Sequence, residues 1–101
     1  MAKKYYALKL IPPRPTFAQD MTPEERNIMQ QHVAYWTNLM QQGNAIAFGP
    51  VLDPKGVYGL GIITVNNEEQ LNQLMKGDPA SGLNVYEWYP MMAITPENMP
   101  A

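Results

Sequence analysis

Ten prolines and seven glycines cut this chain into short stretches. The longest uninterrupted one lies between Pro23 and Gly43, and it is the place for the one long helix. Thr22-Pro23-Glu24-Glu25 supplies a capping box with proline at the first helical position. The helix is therefore predicted over Pro23 to Gln42, with Gly43 as its stop. Before it, Tyr5 to Ile11 (YYALKLI) is aromatic and branched and ends at Pro12-Pro13, as a strand does. Residues 12–21 hold three prolines and no period, and read as a loop of ten residues. Ala45 to Val51 and Tyr58 to Val65 read as strands around the turn Asp53-Pro54-Lys55-Gly56. Asn66 or Asn67 caps a second helix that ends at Gly77, and Val85 to Met92 forms the last strand. The order is βαββαβ, an α+β, ferredoxin-like arrangement with a four-stranded antiparallel sheet and both helices on one face. A length of 101 residues makes this a single domain over 1–101, with its core over 5–92 and a loose tail over 93–101.

With two helices on one face, the other face should alternate toward polar residues if it met water. It does not. In the first strand Tyr6, Leu8 and Leu10 oppose Tyr5, Ala7 and Ile11; in the third, Tyr58, Leu60 and Ile62 oppose Gly59, Gly61, Ile63 and Val65. Both faces are apolar, and an open apolar face of that size marks an interaction surface. A two-fold homodimer packing sheet against sheet satisfies it; a tail folded back over the face is the other solution.

Composition excludes several classes of function. A net charge of −2 and a pI near 5.2 leave little pull on nucleic acid or anionic membranes. The absence of cysteine removes disulfides, thiol nucleophiles and thiolate metal sites, and a lone histidine removes multi-histidine metal sites. No cofactor and no metal are expected. No apolar run is long enough to span a bilayer, and Lys9 with Pro12-Pro13 cuts short the apolar stretch after Lys3-Lys4, so it does not read as a signal peptide. The expected location is cytoplasmic.

The one histidine carries most of the chemical interest. At about 100° per residue, Ile28, Met29, Val33, Tyr35, Trp36, Leu39 and Met40 form one broad apolar face, and His32 falls near its middle. A ring nitrogen facing the sheet needs a partner or a cavity. Either a backbone carbonyl satisfies it as a core residue, or it works as an acid and base. Asp78, pinned between Gly77 and Pro79, is the best carboxylate partner, although an Asp before Pro is also a natural turn cap. A carboxylate on one imidazole nitrogen fixes the tautomer and raises the basicity of the other.

These residues resemble the YCII-related (YciI-like) family of small proteins. The resemblance runs over residues 5–92 and rests on an ordered set: His32 in HVAYW, Gly43, Gly49-Pro50, the strand GVYGLGII, and Asp78-Pro79 before VYEWYP. It implies a dimeric α+β barrel with a His–Asp pair at its active centre, which in this chain is His32 and Asp78. It also implies elimination or isomerisation on small hydroxylated rings. The proline loop before the long helix is longer than the connection that the family carries there.

Two functions remain open on the sequence. One is a small cofactor-independent enzyme in which His32 and Asp78 are catalytic, acting on a small cyclic hydroxylated compound. Tyr35, Trp36, Phe48 and Tyr58 would wall its pocket, with Gly49 and Pro50 beside them, and Arg14 would steer an anionic substrate or stabilise an enolate. The other is a non-catalytic dimeric domain that binds or senses a small ligand. An RNA-recognition module shares the element order, and Lys55-Gly56-Val57-Tyr58-Gly59 echoes its strand signature. Leu60 and Ile62 stand where its stacking aromatics belong, and the acidic pI opposes it.

Overall fold

The structure, a computed structural model, describes residues 3–100. Met1, Ala2 and Ala101, which the single-domain reading included, lie outside the described residues. The elements are β1 (Lys4–Ile11), a one-turn helix α1 (Phe17–Asp20), α2 (Pro23–Gln41), β2 (Ala45–Val51), β3 (Tyr58–Val65), α3 (Glu68–Gly77) and β4 (Val85–Met91). The strands form one antiparallel sheet in the order β2-β3-β1-β4, the ferredoxin-like α+β topology. Among the described residues no helix is long and apolar enough to cross a membrane.

Local chemistry explains the element ends. Thr22 Oγ1 accepts from the Glu25 amide at 3.1 Å, and Glu25 Oε1 accepts from the Thr22 amide at 2.9 Å, closing the capping box. Gly43, with φ at +91°, turns the chain out of α2 in the left-handed region where glycine carries no Cβ penalty. Asn67 Oδ1 caps α3 by accepting from the Gln70 amide at 2.8 Å. Asp53 Oδ1 accepts from the Lys55 amide at 2.9 Å, and this Asx turn folds the β2–β3 hairpin.

One sequence expectation is corrected here. Residues 12–21 are not structureless, because Phe17–Asp20 form a helical turn and Phe17 is buried. Burial of that one aromatic ring gives the segment an apolar anchor that its three prolines do not reveal.

Helices α2 and α3 cover the face made by Tyr6 and Leu8 of β1 and Ile63 and Val65 of β3, with Trp36, Leu39, Leu71 and Met75 packed against them. Ile63 and Leu71 are fully enclosed at the centre. The long amphipathic helix is less one-sided than its periodicity implies, since Val33 and Met40 are exposed. The opposite sheet face is open. Leu60, Tyr89 and Met91 are exposed there, and its two charges, Lys9 and Glu87, stand directly across the β1–β4 ladder from each other. The tail turns beside the start of β1 and the end of β4, with Thr95 buried but Met92 and Ile94 exposed.

Gly77 is fixed by packing. A Cβ there would lie 2.5 Å from the Tyr35 hydroxyl, which is itself held by donating to the Leu74 carbonyl at 2.7 Å. Gly77→Ala is therefore expected to cost about 1–3 kcal/mol through overpacking. Tyr35→Phe removes the clashing oxygen, so Tyr35→Phe combined with Gly77→Ala should be less destabilised than the sum of the two. Thermal unfolding of the two single variants and the double variant checks this; strict additivity would show that the contact is not the cause.

Candidate functional site

Between α2 and the inner sheet face lies a cavity of about 470 Å³. Its walls follow from the residues on each side. Phe48 on β2 stands across from Gly61 on β3, and Gly59 faces Leu10, so the missing side chains leave room where two strands would otherwise close on α2. Pro12, Phe17, Ala18 and Met21 roof the cavity from the segment before α2. Met29, His32 and Trp36 enter from α2 at helical spacing, and Asn84 and Tyr86 from the start of β4.

Asp78 stands behind this wall, its side chain completely enclosed. Its Oδ2 accepts from His32 Nδ1 at 2.7 Å, from Trp36 Nε1 at 2.9 Å and from the Tyr86 hydroxyl; its Oδ1 accepts from the Ala80 amide at 2.9 Å. Burial pushes the Asp78 carboxyl up, but hydrogen bonds from His32, Tyr86, Ala80 and Trp36 together outweigh it, and the group ends below the ordinary carboxylate value. Burial and the bond to Asp78 push the Tyr86 phenol upward, so it acts as a donor throughout the neutral range. Because Asp78 accepts, Nδ1 of His32 carries the proton; His32 lines the cavity, and its Nε2 has no partner among the described residues.

The structure brings together His32, Asp78, Trp36, Phe48, Gly49 and Pro50, all but Asp78 lining the cavity. Tyr58 borders the cavity, but its ring lies under Lys9 Nζ at 4.6 Å, on the sheet face that Lys9 and Leu60 share. The structure does not bring in Tyr35, whose hydroxyl points to α3 through Leu74 and whose ring meets Trp36 edge-on at 5.5 Å. Nor does it bring in Arg14 as a substrate-steering cation. The Arg14 guanidinium is held by two carboxylates, donating to Asp20 Oδ1 at 2.8 Å, to the Asp20 carbonyl at 3.0 Å, and to Glu25 Oε1 and Oε2 at 2.7 and 2.9 Å. It lies 5.2 Å from the centre of the Phe17 ring and clamps the cavity roof to the start of α2. Sequence reasoning missed Tyr86, Asn84 and Phe17. Tyr86 and Asn84 share the inward parity of β4, and that pattern was the available signal for them. Among the described residues no cluster of three or more His, Cys, Asp or Glu side chains is placed to hold a metal ion.

A ferredoxin-like α+β domain with an enclosed His–Asp pair beside an apolar cavity is the class that this geometry defines. The YCII-related domain matches residues 6–95, and the chain belongs to that family. Comparison with curated proteins gives no match.

The clamp has a titration signature. The Arg14 bond, the Thr22 amide and the Arg14 charge bring the Glu25 carboxyl down to about 2. A depressed carboxylate stabilises the fold above its ordinary value and loses that contribution only as pH falls through the lowered one. Carbon-detected NMR of Glu25 should show a midpoint near 2 in the wild type and a return toward the usual glutamate range in Arg14→Gln. An unchanged midpoint in Arg14→Gln would show that Arg14 is not its cause.

Proposed function

We propose that this protein is a small cofactor-independent acid–base enzyme, in which His32 and Asp78 transfer a proton on a small cyclic hydroxylated compound. The observation that carries the reading is the 2.7 Å contact from His32 Nδ1 to a fully enclosed carboxylate, on a histidine that lines the cavity and whose Nε2 has no partner among the described residues. Nε2 takes a proton from a carbon next to an electron-withdrawing oxygen group of the substrate. In an elimination the C–H electron pair forms the new double bond, and the leaving group departs with its own pair from the neighbouring carbon. In an isomerisation the imidazolium returns the proton to a different carbon. Asp78 holds the imidazole in place by its Nδ1; Trp36, Phe48, Gly49 and Pro50 bind the ring of the substrate.

General acid–base catalysis contributes roughly 100- to 10,000-fold, so His32→Ala should lose activity in that range while the protein stays folded. Asp78→Asn is a different perturbation. Four donors converge on the two carboxylate oxygens, and the amide nitrogen of asparagine would oppose at least one of them. It should lower stability by about 1–3 kcal/mol and weaken activity less than His32→Ala does. Hydroxyquinones and lactones, assayed for turnover and for binding on wild type and both variants, test this. Binding without turnover in the wild type would make the protein a ligand-binding or sensing domain instead.

We also propose that the chain is a cytoplasmic homodimer that buries the open sheet face against a second copy. Support comes from Leu60, Tyr89 and Met91 on that face and from the Lys9–Glu87 adjacency, which a two-fold axis can pair with the same charges of the other copy. Light scattering at micromolar concentration should give a dimer for the wild type and a monomer for Leu60→Glu combined with Tyr89→Glu. A monomeric wild type would refute the assembly.

A further inference from the structure

None of the residues that line the cavity is Asp, Glu, Lys or Arg. Arg14, beside the roof, is occupied by Asp20 and Glu25; Lys9 stands over the Tyr58 ring on the other sheet face; and Asp78 is enclosed behind His32, Trp36 and Tyr86. A ligand bearing a carboxylate or phosphate would meet no counter-charge there. With the Tyr86 hydroxyl turned to Asp78, the side-chain polar groups still open are His32 Nε2 and the amide of Asn84.

Asn84 is 7% exposed, and its amide is held in one orientation. Nδ2 donates to the Ala80 carbonyl at 3.4 Å and lies 3.6 Å from the Met29 sulfur. The carbonyl is an acceptor, which assigns the nitrogen to that side and the oxygen to the other. Oδ1 accepts no hydrogen bond among the described residues, yet it is not one of their sealed, unpartnered atoms. The residue that fixes the nitrogen side, Met29, lies three positions before His32 on α2, about one helical turn along the same wall. An unpartnered, unsealed acceptor on a nearly buried residue that lines an apolar cavity calls for a donor.

Building on the reading of the cavity as a substrate site, we infer that Asn84 is its specificity-determining residue: Oδ1 takes a hydrogen bond from an uncharged, largely apolar ligand whose other polar group meets His32. A second hydroxyl on the ligand is thereby selected over an ether, and a neutral ring over an anionic one.

Three probes on one ring scaffold test this by calorimetric titration: 2,6-dihydroxynaphthalene, its monomethyl ether 6-methoxy-2-naphthol, and 6-hydroxy-2-naphthoate. The wild type should bind the diol about tenfold more tightly than the ether, and the carboxylate least of all. Asn84→Leu should bind diol and ether equally. If Asn84→Leu does not fold, Asn84→Ala takes its place, and the three wild-type titrations stand by themselves. Equal wild-type affinity for diol and ether, a diol preference that survives the loss of the amide, tight binding of the carboxylate, or no binding of any probe at millimolar concentration would each overturn the inference. These titrations read binding alone. Absence of turnover leaves their outcome intact, and loss of the diol preference leaves proton transfer by His32 intact.

Discussion

A carboxylate taken fully out of water is tolerable only when donors surround it, and Asp78 is the most demanding residue in this fold. Its position adds to the demand, because it follows the last residue of α3, where the helix dipole presents its negative end. Donors come from three separate parts of the chain: His32 and Trp36 one turn apart on α2, Tyr86 on β4, and the Ala80 amide of the following turn. Satisfying one side chain therefore fixes the rotation of α2, the end of α3 and the approach of β4 together. The apolar core around Ile63 and Leu71 provides most of the driving force for compaction, but it is indifferent to small rotations of a helix. The carboxylate is not.

The same arrangement separates charge from binding volume. The ionic group lies behind the wall, and the cavity lining carries no Asp, Glu, Lys or Arg. Of the four groups that donate to Asp78, His32 is the one that carries a second ring nitrogen on the cavity wall. Tyr86 and Trp36 do more than fill space, since each removes a lone-pair direction from Asp78 that water would otherwise occupy. The cluster also differs from an exposed ion pair in having no competing solvent.

Much of this was legible in the sequence because the signals were local. The capping box at Thr22–Glu25, the Asx turn at Asp53 and the stop at Gly43 each depend on residues within a few positions, and the structure places the element ends at or next to them. The His32–Asp78 contact spans 46 positions and was approachable because each residue was anomalous by itself, a polar ring on an apolar stripe and a carboxylate pinned before proline. Arg14 misled for an equally physical reason. A cation near a site looks available until its partners are known, and Asp20 and Glu25 are brought to it by a helical turn that the prolines conceal. Tyr35 misled because a helical face is wider than a cavity, so adjacent residues of one stripe serve different neighbours. Asn84 and Tyr86 lay hidden in the ordinary alternation of an edge strand.

Glu25 belongs to two structures at once. Its Oε1 accepts from the Thr22 amide, closing the first turn of α2, and also from Arg14, which carries the roof. Roof and histidine-bearing helix are thus joined at a point remote from the imidazole, with the α1 turn suspended between that joint and the sheet. The roof residues Phe17, Ala18 and Met21 have no part in holding Asp78. A chain built this way can change what its cavity admits by exchanging side chains on the roof, while the joint and the His32–Asp78 contact stay as they are.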